Sequence, residues 1–321
     1  VATQPQASGR PLTVLVTSLK WLGSRGMLHL ALISLMVLWS IPTIVMLISS
    51  FRDPSDIASS GWWNVFAHPF DFTIENYKNV LDARGMWQSF LNSLVITVPS
   101  TLLTILVAAF AAYAFAWMRF PFRNALFLLV VALLVVPLQM TLIPVLRLYA
   151  NLTPGAELPS FDLPVLGGTI GGGKLFGKES FVGLWIAHTA YGLPFAVFLL
   201  RNFFGALPRD LFESAHLDGA SDLTVFFRIV LPLSGPAIAA LAIFQFLWVW
   251  QDLQVALVLL GLGDPDLHPM MLSISTLVGQ FGTDYQLLTA ASFISMIVPL
   301  GIFFALQRYF VQGILTGSVK G

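Results

Sequence analysis

The sequence predicts an all-α, polytopic membrane protein: six transmembrane helices with an acidic helical loop on the cytoplasmic side. Three observations carry that expectation. Of 321 residues, 57% are hydrophobic and only 10% are charged, where soluble domains average about 25% charged residues. Six apolar runs are each long enough to cross about 30 Å of hydrocarbon, which takes roughly 20 residues. Five of the six contain no Asp, Glu, Lys or Arg.

In chain order the runs are Met27–Ile48, Phe90–Trp117, Ala125–Leu146, Phe181–Leu200, Leu233–Leu260 and Leu287–Leu306. The fifth carries Asp252 as its single charge. None alternates with period two and all exceed the length of a barrel strand, so helices are expected. Pro42, Pro99, Pro137, Pro194 and Pro299 fall inside them, and local kinks are expected there. A removable signal peptide is the competing view of the first run. Its apolar stretch is too long for that, and Leu47–Arg52 offers no clear small-residue cleavage site. Zero cysteines remove disulfides, thiol catalysis and Cys-ligated zinc. No metal site and no catalytic residue is expected.

Six spans put both termini on one side of the membrane. With that side inside, the inner segments hold Arg10, Lys20, Arg25, Arg119, Arg123, Arg201, Arg209, Arg228, Arg308 and Lys320. The outer segments hold Arg52, Lys78, Arg84, Arg147, Lys174 and Lys178. Ten against six favours cytoplasmic termini, and the short loop Met118–Asn124 is purely basic. The outer segments carry eleven of the sixteen acids, so the outer face is net negative.

The outer stretch Asn151–Ser180 has seven glycines and three prolines and reads as irregular structure. Within it, Gly168-Thr169-Ile170-Gly171-Gly172-Gly173-Lys174-Leu175 imitates a phosphate-binding loop. The imitation fails because Leu175 stands where a hydroxyl should meet magnesium, and because the loop is expected to face away from cytosolic ATP. The inner loop after the fourth run is more informative. Gly205 ends one helix, and Pro208 suits the first turn of the next. Asp210 and Glu213 lie in that turn, where carboxylates complement the helix dipole. Phe212, Ala215 and Gly219 recur at helical spacing. A helix lying on headgroups is the alternative, but Asp210–Asp222 holds four acids and no base, which anionic lipid would repel. Docking to a protein is expected.

Glu213-Ser214-Ala215, three residues, Gly219, nine residues, then Ile229-Val230-Leu231-Pro232 resembles the EAA signature of ABC importer permeases. Spacing matches throughout, and the one departure is Ser214 for the middle alanine. The resemblance spans almost the whole chain and points to the maltose-type carbohydrate branch, on its MalG-like side. Ala111–Ala116 with Arg119-Phe120-Pro121, Tyr191-Gly192-Leu193-Pro194-Phe195, Asp218-Gly219-Ala220, and Gln307–Phe310 through Gly317–Gly321 are all similar to segments of that branch. It implies residues 1–26 as a cytoplasmic N-terminal segment and 27–306 as the permease domain with a coupling loop at 201–232. Residues 307–321 are then a cytoplasmic tail. It further implies that Glu213, Ser214, Ala215, Asp218, Gly219, Leu231 and Pro232 form the contact with a cytosolic ATPase. Gly317, Ser318, Val319, Lys320 and Gly321 would reach towards the interface of two ATPase copies. The other implied partners are a MalF-like second permease subunit and an extracytoplasmic sugar-binding protein, in a prokaryotic inner membrane. ATP and Mg belong to the ATPases; this chain is expected to bind no cofactor and no nucleic acid.

Polar groups inside spans usually face the bundle interior. Asn92, Gln139, Trp248, Trp250, Gln251 and Asp252 are the substrate-pathway candidates, with Gln245 and Gln254 as further polar groups in the fifth run: aromatic faces suit a sugar's C–H surface, and amides and carboxylate suit its hydroxyls. The equal alternative places Asp252 near the outer interface, with the tryptophans as belt anchors. His188 is expected to be a packed, hydrogen-bonded residue rather than a proton carrier. Asp264, Asp266 and His268 lie in a loop resembling the one that probes the binding protein. An ion-coupled secondary transporter would need several intramembrane acids and an inverted repeat, and neither is present. A receptor or assembly factor leaves the EAA-like loop unexplained. Within the permease reading, a polyol or glycerol phosphate is the alternative to a di- or oligosaccharide.

Overall fold

The computed structural model describes residues 11–68, 71–83, 85–151, 161–163, 168–170, 180–280 and 285–318. They divide into two compact units, one ending at Thr73 and one beginning at Ile74.

The first unit is built on α1 (Pro11–Ser50), followed by α2 (Pro54–Ser59) and a 3-10 turn, Trp62–Phe66. Along the apolar part of α1, Met27, Leu30, Leu35 and Trp39 are all exposed. A helix apolar on every side has lipid as its solvent. The helix passes without a break through residue 26, so the membrane boundary expected there is not a helix boundary. Beyond α1 the chain is folded back by Arg52, which is buried and donates to the Asp56 carbonyl at 2.8 Å and to the Ser60 hydroxyl. The Asp53 carboxylate caps α2 by accepting from Ser55 N–H at 3.0 Å.

The second unit opens with α3 (Glu75–Lys78) and continues through α4 (Met86–Trp117), α5 (Arg123–Ala132) and α6 (Leu138–Asn151). Strands β1 (Phe161–Leu163) and β2 (Gly168–Ile170) form a small antiparallel ribbon with Asp162 opposite Thr169. Then follow α7 (Phe181–Gly205), α8 (Arg209–Leu217), α9 (Asp222–Val225) and α10 (Leu231–Leu233). The chain ends with α11 (Gly235–Trp250), α12 (Gln254–Leu260), α13 (Met270–Gln280) and α14 (Tyr285–Ser318). The ribbon corrects the expectation of wholly irregular structure between 151 and 180. It also gives Gly168–Ile170 of the phosphate-loop look-alike an extended backbone; Gly171–Leu175 lie outside the described residues.

The broadest packing is α4 against α7, and α11 lies against α14 and α4. On α4 the buried stripe is small: Ala108, Ala109 and Ala112 pack with Ala196, Val197 and Leu200 of α7. Small residues let two backbones approach closely where lipid removes the hydrophobic drive between helices. The same stripe holds Ser100 and Thr104, whose hydroxyls donate back to the Ile96 and Ser100 carbonyls at 2.6 and 2.8 Å. Leu102 and Leu106 occupy the exposed face, and Phe110 at its edge stacks on the buried Phe226, ring centroids 4.8 Å apart.

Among the described residues, four helical stretches are long and apolar enough to cross a bilayer: Gly26–Ser50, Met86–Trp117, Phe181–Gly205 and Tyr285–Gln307. Six requires counting two bent pairs as single spans. Arg123–Val135 with Leu138–Ala150 bends by 102°, and Asp222–Leu233 with Gly235–Trp250 by 75°. The local kink expected at Pro137 is therefore a break, whereas Pro42, Pro99, Pro194 and Pro299 sit inside unbroken helices. The fifth run, expected from Leu233 to Leu260, begins at a break and is corrected at its far end. Pro236 lacks the N–H that would bond Pro232 O, so the helix is interrupted between α10 and α11. Its far end stops at Trp250, because Asp252 caps a new helix by accepting from Val255 N–H at 3.3 Å and Ala256 N–H at 3.1 Å.

Candidate functional site

The loop between α7 and α11 projects α8 from the ends of the long helices. Pro208 occupies the N-cap position rather than the first turn, Asp210 sits in that turn, Glu213 lies beyond it contrary to expectation, and α8 ends at Leu217. Gly219 is therefore not on the helical face expected for it. It is the terminator, at φ 79°, where Gly219 N–H bonds His216 O at 3.0 Å and Ala220 N–H bonds Ala215 O at 2.9 Å. That left-handed cap turns the chain towards α9.

One side chain ties α8 down. Phe212 is 4% exposed and stacks on Trp117, the last residue of α4, with ring centroids 3.6 Å apart. The Trp117 indole N–H donates to Phe204 O of α7 at 3.0 Å. Phe212 thus joins the cluster formed by α4, α7, Phe226 and Val230. The other face of α8 is open. Glu213, Ser214 and Asp218 are exposed, Ala215 is half-buried, and Leu217 is 88% exposed. Glu213 makes no hydrogen bond or ion pair among the described residues. His216 closes the loop: Nδ1 meets Phe212 O at 2.6 Å and Nε2 meets Asp222 Oδ1 at 3.3 Å. Those two acceptors, the Phe212 carbonyl first, raise its proton affinity above that of a free imidazole. Leu231, half-buried, and Pro232, exposed, form α10 at the membrane-facing end of the loop.

A second feature is an apolar groove of about 610 Å³ at the bend between α5 and α6, closed by α7 and α11. Tyr191, Phe195, Phe244 and Trp248 give it aromatic walls, and Thr141 and Gln245 give it polar points. Thr141 Oγ1 donates to Tyr191 Oη at 3.0 Å. Gln245 Nε2 lies 3.3 Å from Thr104 Oγ1. Gln245 reaches into this wall because Gly192 has no side chain: a Cβ there would stand 2.5 to 2.8 Å from the Gln245 amide.

The six pathway candidates separate. Trp248 lines the groove and is 44% exposed. Gln139 is exposed and donates to Gln254 at 3.1 Å; Gln251 is exposed as well. Trp250 is 2% exposed, donates to Ser295 O at 2.9 Å and stacks on Phe246, so it is neither pathway wall nor belt anchor. Asp252 caps α12 and lies 3.7 Å from the buried His188, its side chain 12% exposed. Asn92 is buried and donates to Asp266 O at 2.7 Å and His268 O at 3.1 Å, pinning the 261–268 loop to α4.

In that loop Asp264 and Asp266 are exposed, and the Asp264 carboxylate accepts from Asp266 N–H at 3.1 Å. His268 is corrected: it is 4% exposed, with no surface to offer a partner. Burial pushes its proton affinity below that of a free imidazole. Gly317 and Ser318 close α14; Val319, Lys320 and Gly321 lie outside the described residues. Phe212, Trp117, Tyr191 and Phe244 were not among the candidates. Apolar residues abound here, and spacing alone does not distinguish a docked ring from a lipid-facing one.

Residues 100–316 match the model of the binding-protein-dependent transport system inner membrane component family, which is more than half of the chain. The chain belongs to that family. Among curated relatives, the osmoprotective compounds uptake permease protein GgtD of Synechocystis is 54% identical over 296 residues, covering 91% of each chain. The alpha-glucoside transport system permease protein AglG of Rhizobium meliloti is 51% identical over 255 residues, covering 79% of this chain and 62% of that one. A crystal structure of a bacterial alginate ABC transporter, in complex with an alginate pentasaccharide-bound periplasmic protein, shares the fold. Its TM-score is 0.59 at 16% identity, over 89% of this chain and 94% of that one. As a binding-protein-dependent inner membrane component, this permease is a multi-pass membrane protein, and its relatives are transport permeases rather than enzymes.

Proposed function

We propose that this permease forms half of the translocation pathway of an ATP-driven sugar importer and receives its driving force through α8. The observation that carries the reading is the two-sidedness of that helix. One face is locked to α4 and α7 by Phe212, and the other presents Glu213, without a side-chain partner among the described residues, with exposed Ser214, Leu217 and Asp218. A helix rigidly joined to two spans moves them when its free face is pushed. The partners are two copies of a cytosolic ATPase seated on Glu213–Gly219 and the Gly317–Gly321 tail, a MalF-like second permease, and an extracytoplasmic sugar-binding protein. Asp264 and Asp266 face that binding protein, and both termini are cytoplasmic.

ATP and Mg²⁺ act on the ATPases, where they supply the free energy of transport. This chain's part is mechanical. When the ATPases close, α8 moves as a unit with the ends of α4 and α7, and the groove at the α5–α6 bend changes its access. Trp248, Tyr191, Gln245 and Thr141 line the path. An α-glucoside-class sugar fits the reading: aromatic rings meet its C–H faces, and the amide and hydroxyl its hydroxyl groups. The names of the two relatives at over 50% identity, one an α-glucoside permease, support that class.

The test is sugar-stimulated ATP hydrolysis by the complete importer in proteoliposomes, across a panel of α-glucosides, polyols and glycerol phosphates. Glu213→Lys is expected to abolish stimulation while leaving the fold intact. Undiminished stimulation in that variant would refute the lever; stimulation by polyols alone would refute the sugar class.

A further inference from the structure

Beside α8 lies a groove of about 760 Å³ that the lever does not account for. Its lining includes Trp117, Arg119, Arg123, Arg209, Phe212 and Glu213. Three guanidinium groups thus share one hollow with one carboxylate. Arg119 and Arg209 are exposed and make no hydrogen bond or ion pair among the described residues. Arg123 donates to Met118 O at 3.0 Å, which fixes it at the rim. His216 also lines the groove.

We infer that the Arg119–Arg123–Arg209 groove binds the phosphate of an anionic phospholipid headgroup beside α8. Its position argues for lipid as the source. The groove opens where α4 and α7 end, at Trp117 and Gly205, so it stands at the level where the spans leave the bilayer. The arginines alternate with exposed apolar side chains, Met118 at 40% and Phe122 at 80% exposure. A second hollow of about 500 Å³, lined by Arg119, Phe120, Phe122 and Arg123, continues from the first. Cationic heads beside exposed rings are the composition of a membrane interface, where rings meet acyl chains and guanidinium groups meet phosphates. Basic hollows between spans on this kind of border take anionic headgroups. Phe122 holds a left-handed backbone, φ 59°, in which bulky residues are rare. Its ring therefore sits in the turn at a conformational cost that local propensity does not explain. The groove shares Glu213 and Leu217 with the open face of α8, so the lipid site adjoins the proposed ATPase contact; Arg119 and Arg123 come from the turn after α4 and the start of α5, outside that contact.

The experiment is native mass spectrometry of the complete importer, purified in detergent with equal phosphatidylglycerol and phosphatidylcholine. Wild type should retain phosphatidylglycerol preferentially, and that preference should weaken as salt rises from about 0.05 to 0.5 M. Arg119→Gln/Arg209→Gln should lower retention by about fivefold per guanidinium removed, following the roughly 1 kcal/mol that each basic side chain contributes near an anionic surface. Arg119→Lys/Arg209→Lys, which keeps the charge, should retain most of it. Equal retention of both lipids by wild type, with no salt dependence, overturns the proposal without any variant. Displacement of the lipid by millimolar inorganic phosphate assigns the groove to a free anion instead. Unchanged retention in the glutamine variant, accompanied by loss of the ATPases, assigns the arginines to a protein carboxylate, which also overturns it.

Discussion

At the scale of single residues, Gly219 and Phe212 show how differently two positions of one loop act. Gly219 is needed for its backbone. A Cβ at that position would meet nothing within 4 Å, so Gly219→Ala carries only the cost of a left-handed alanine, about 1 kcal/mol. Hydrogen exchange should quicken at Gly219–Asp222 alone, with thermal stability of the whole chain nearly unchanged. Phe212 is needed for its volume. Phe212→Ala empties a site between Trp117 and the α4–α7 cluster, at about 3–5 kcal/mol. In the assembled importer that variant should keep ATP hydrolysis and lose transport, a split readable in one proteoliposome assay. Gly192 differs again. Gly192→Ala places a methyl against the Gln245 amide and should reduce uptake while ATPase coupling survives.

Among elements, the two histidine-bearing loops respond to pH in opposite directions. His216 has its proton affinity raised by the Phe212 carbonyl and the Asp222 carboxylate. Its contribution is complete below the ordinary imidazole range and is lost as pH rises through the elevated value. Exchange at residues 216–222 should therefore accelerate on going from acid to mildly alkaline buffer, and His216→Ala should remove the dependence. His268 has its affinity lowered by burial. Its contribution is complete above the ordinary range and is lost as pH falls through the depressed value, because protonation must then take place in a dry site. Exchange across 261–268 should accelerate in acid. The bent pairs also belong to this scale. Asp252 does not sit in an otherwise uninterrupted span; it ends one helix and begins another. Sequence windows score apolarity and pass over such a cap, which is why the fifth run reads as one helix.

For the molecule as a whole, the long helices divide their surfaces inside out relative to a soluble bundle. Small and hydroxylated residues face protein on α4, while Leu102 and Leu106 face outward. Close backbone approach is thus what holds α4 to α7, and a substitution on that seam acts on both spans. Ala109→Leu should separate α4 from α7 and lower the thermal midpoint of the purified chain. Ala125→Leu, at an exposed position, should not. Much of the lever is legible in the order of residues alone. Gly205, Pro208 and Asp210 are local signals, since caps and dipole complements act within one turn; Glu213 falls beyond that turn. The groove is legible at Trp248 and Gln245, an indole and an amide inside an apolar run. Tyr191 of α7 meets Phe244 and Gln245 of α11 where those two helices pack, and the 102° bend at Pro137 brings α6 back against α7.

The sequence by itself determined the membrane class, because lipid demands long charge-free helices and composition records that demand directly. It also determined the family-bearing loop, whose spacing survives without knowledge of what it touches. Only the tertiary structure decided the function of individual side chains. Trp248 and Trp250 are two residues apart and chemically identical, yet one lines a groove and the other is sealed against Ser295. Asn92 and His268 are polar, yet both are enclosed by the fold. Burial depends on which distant helices close over a position, and in a chain that is 57% hydrophobic the local pattern carries almost none of that information.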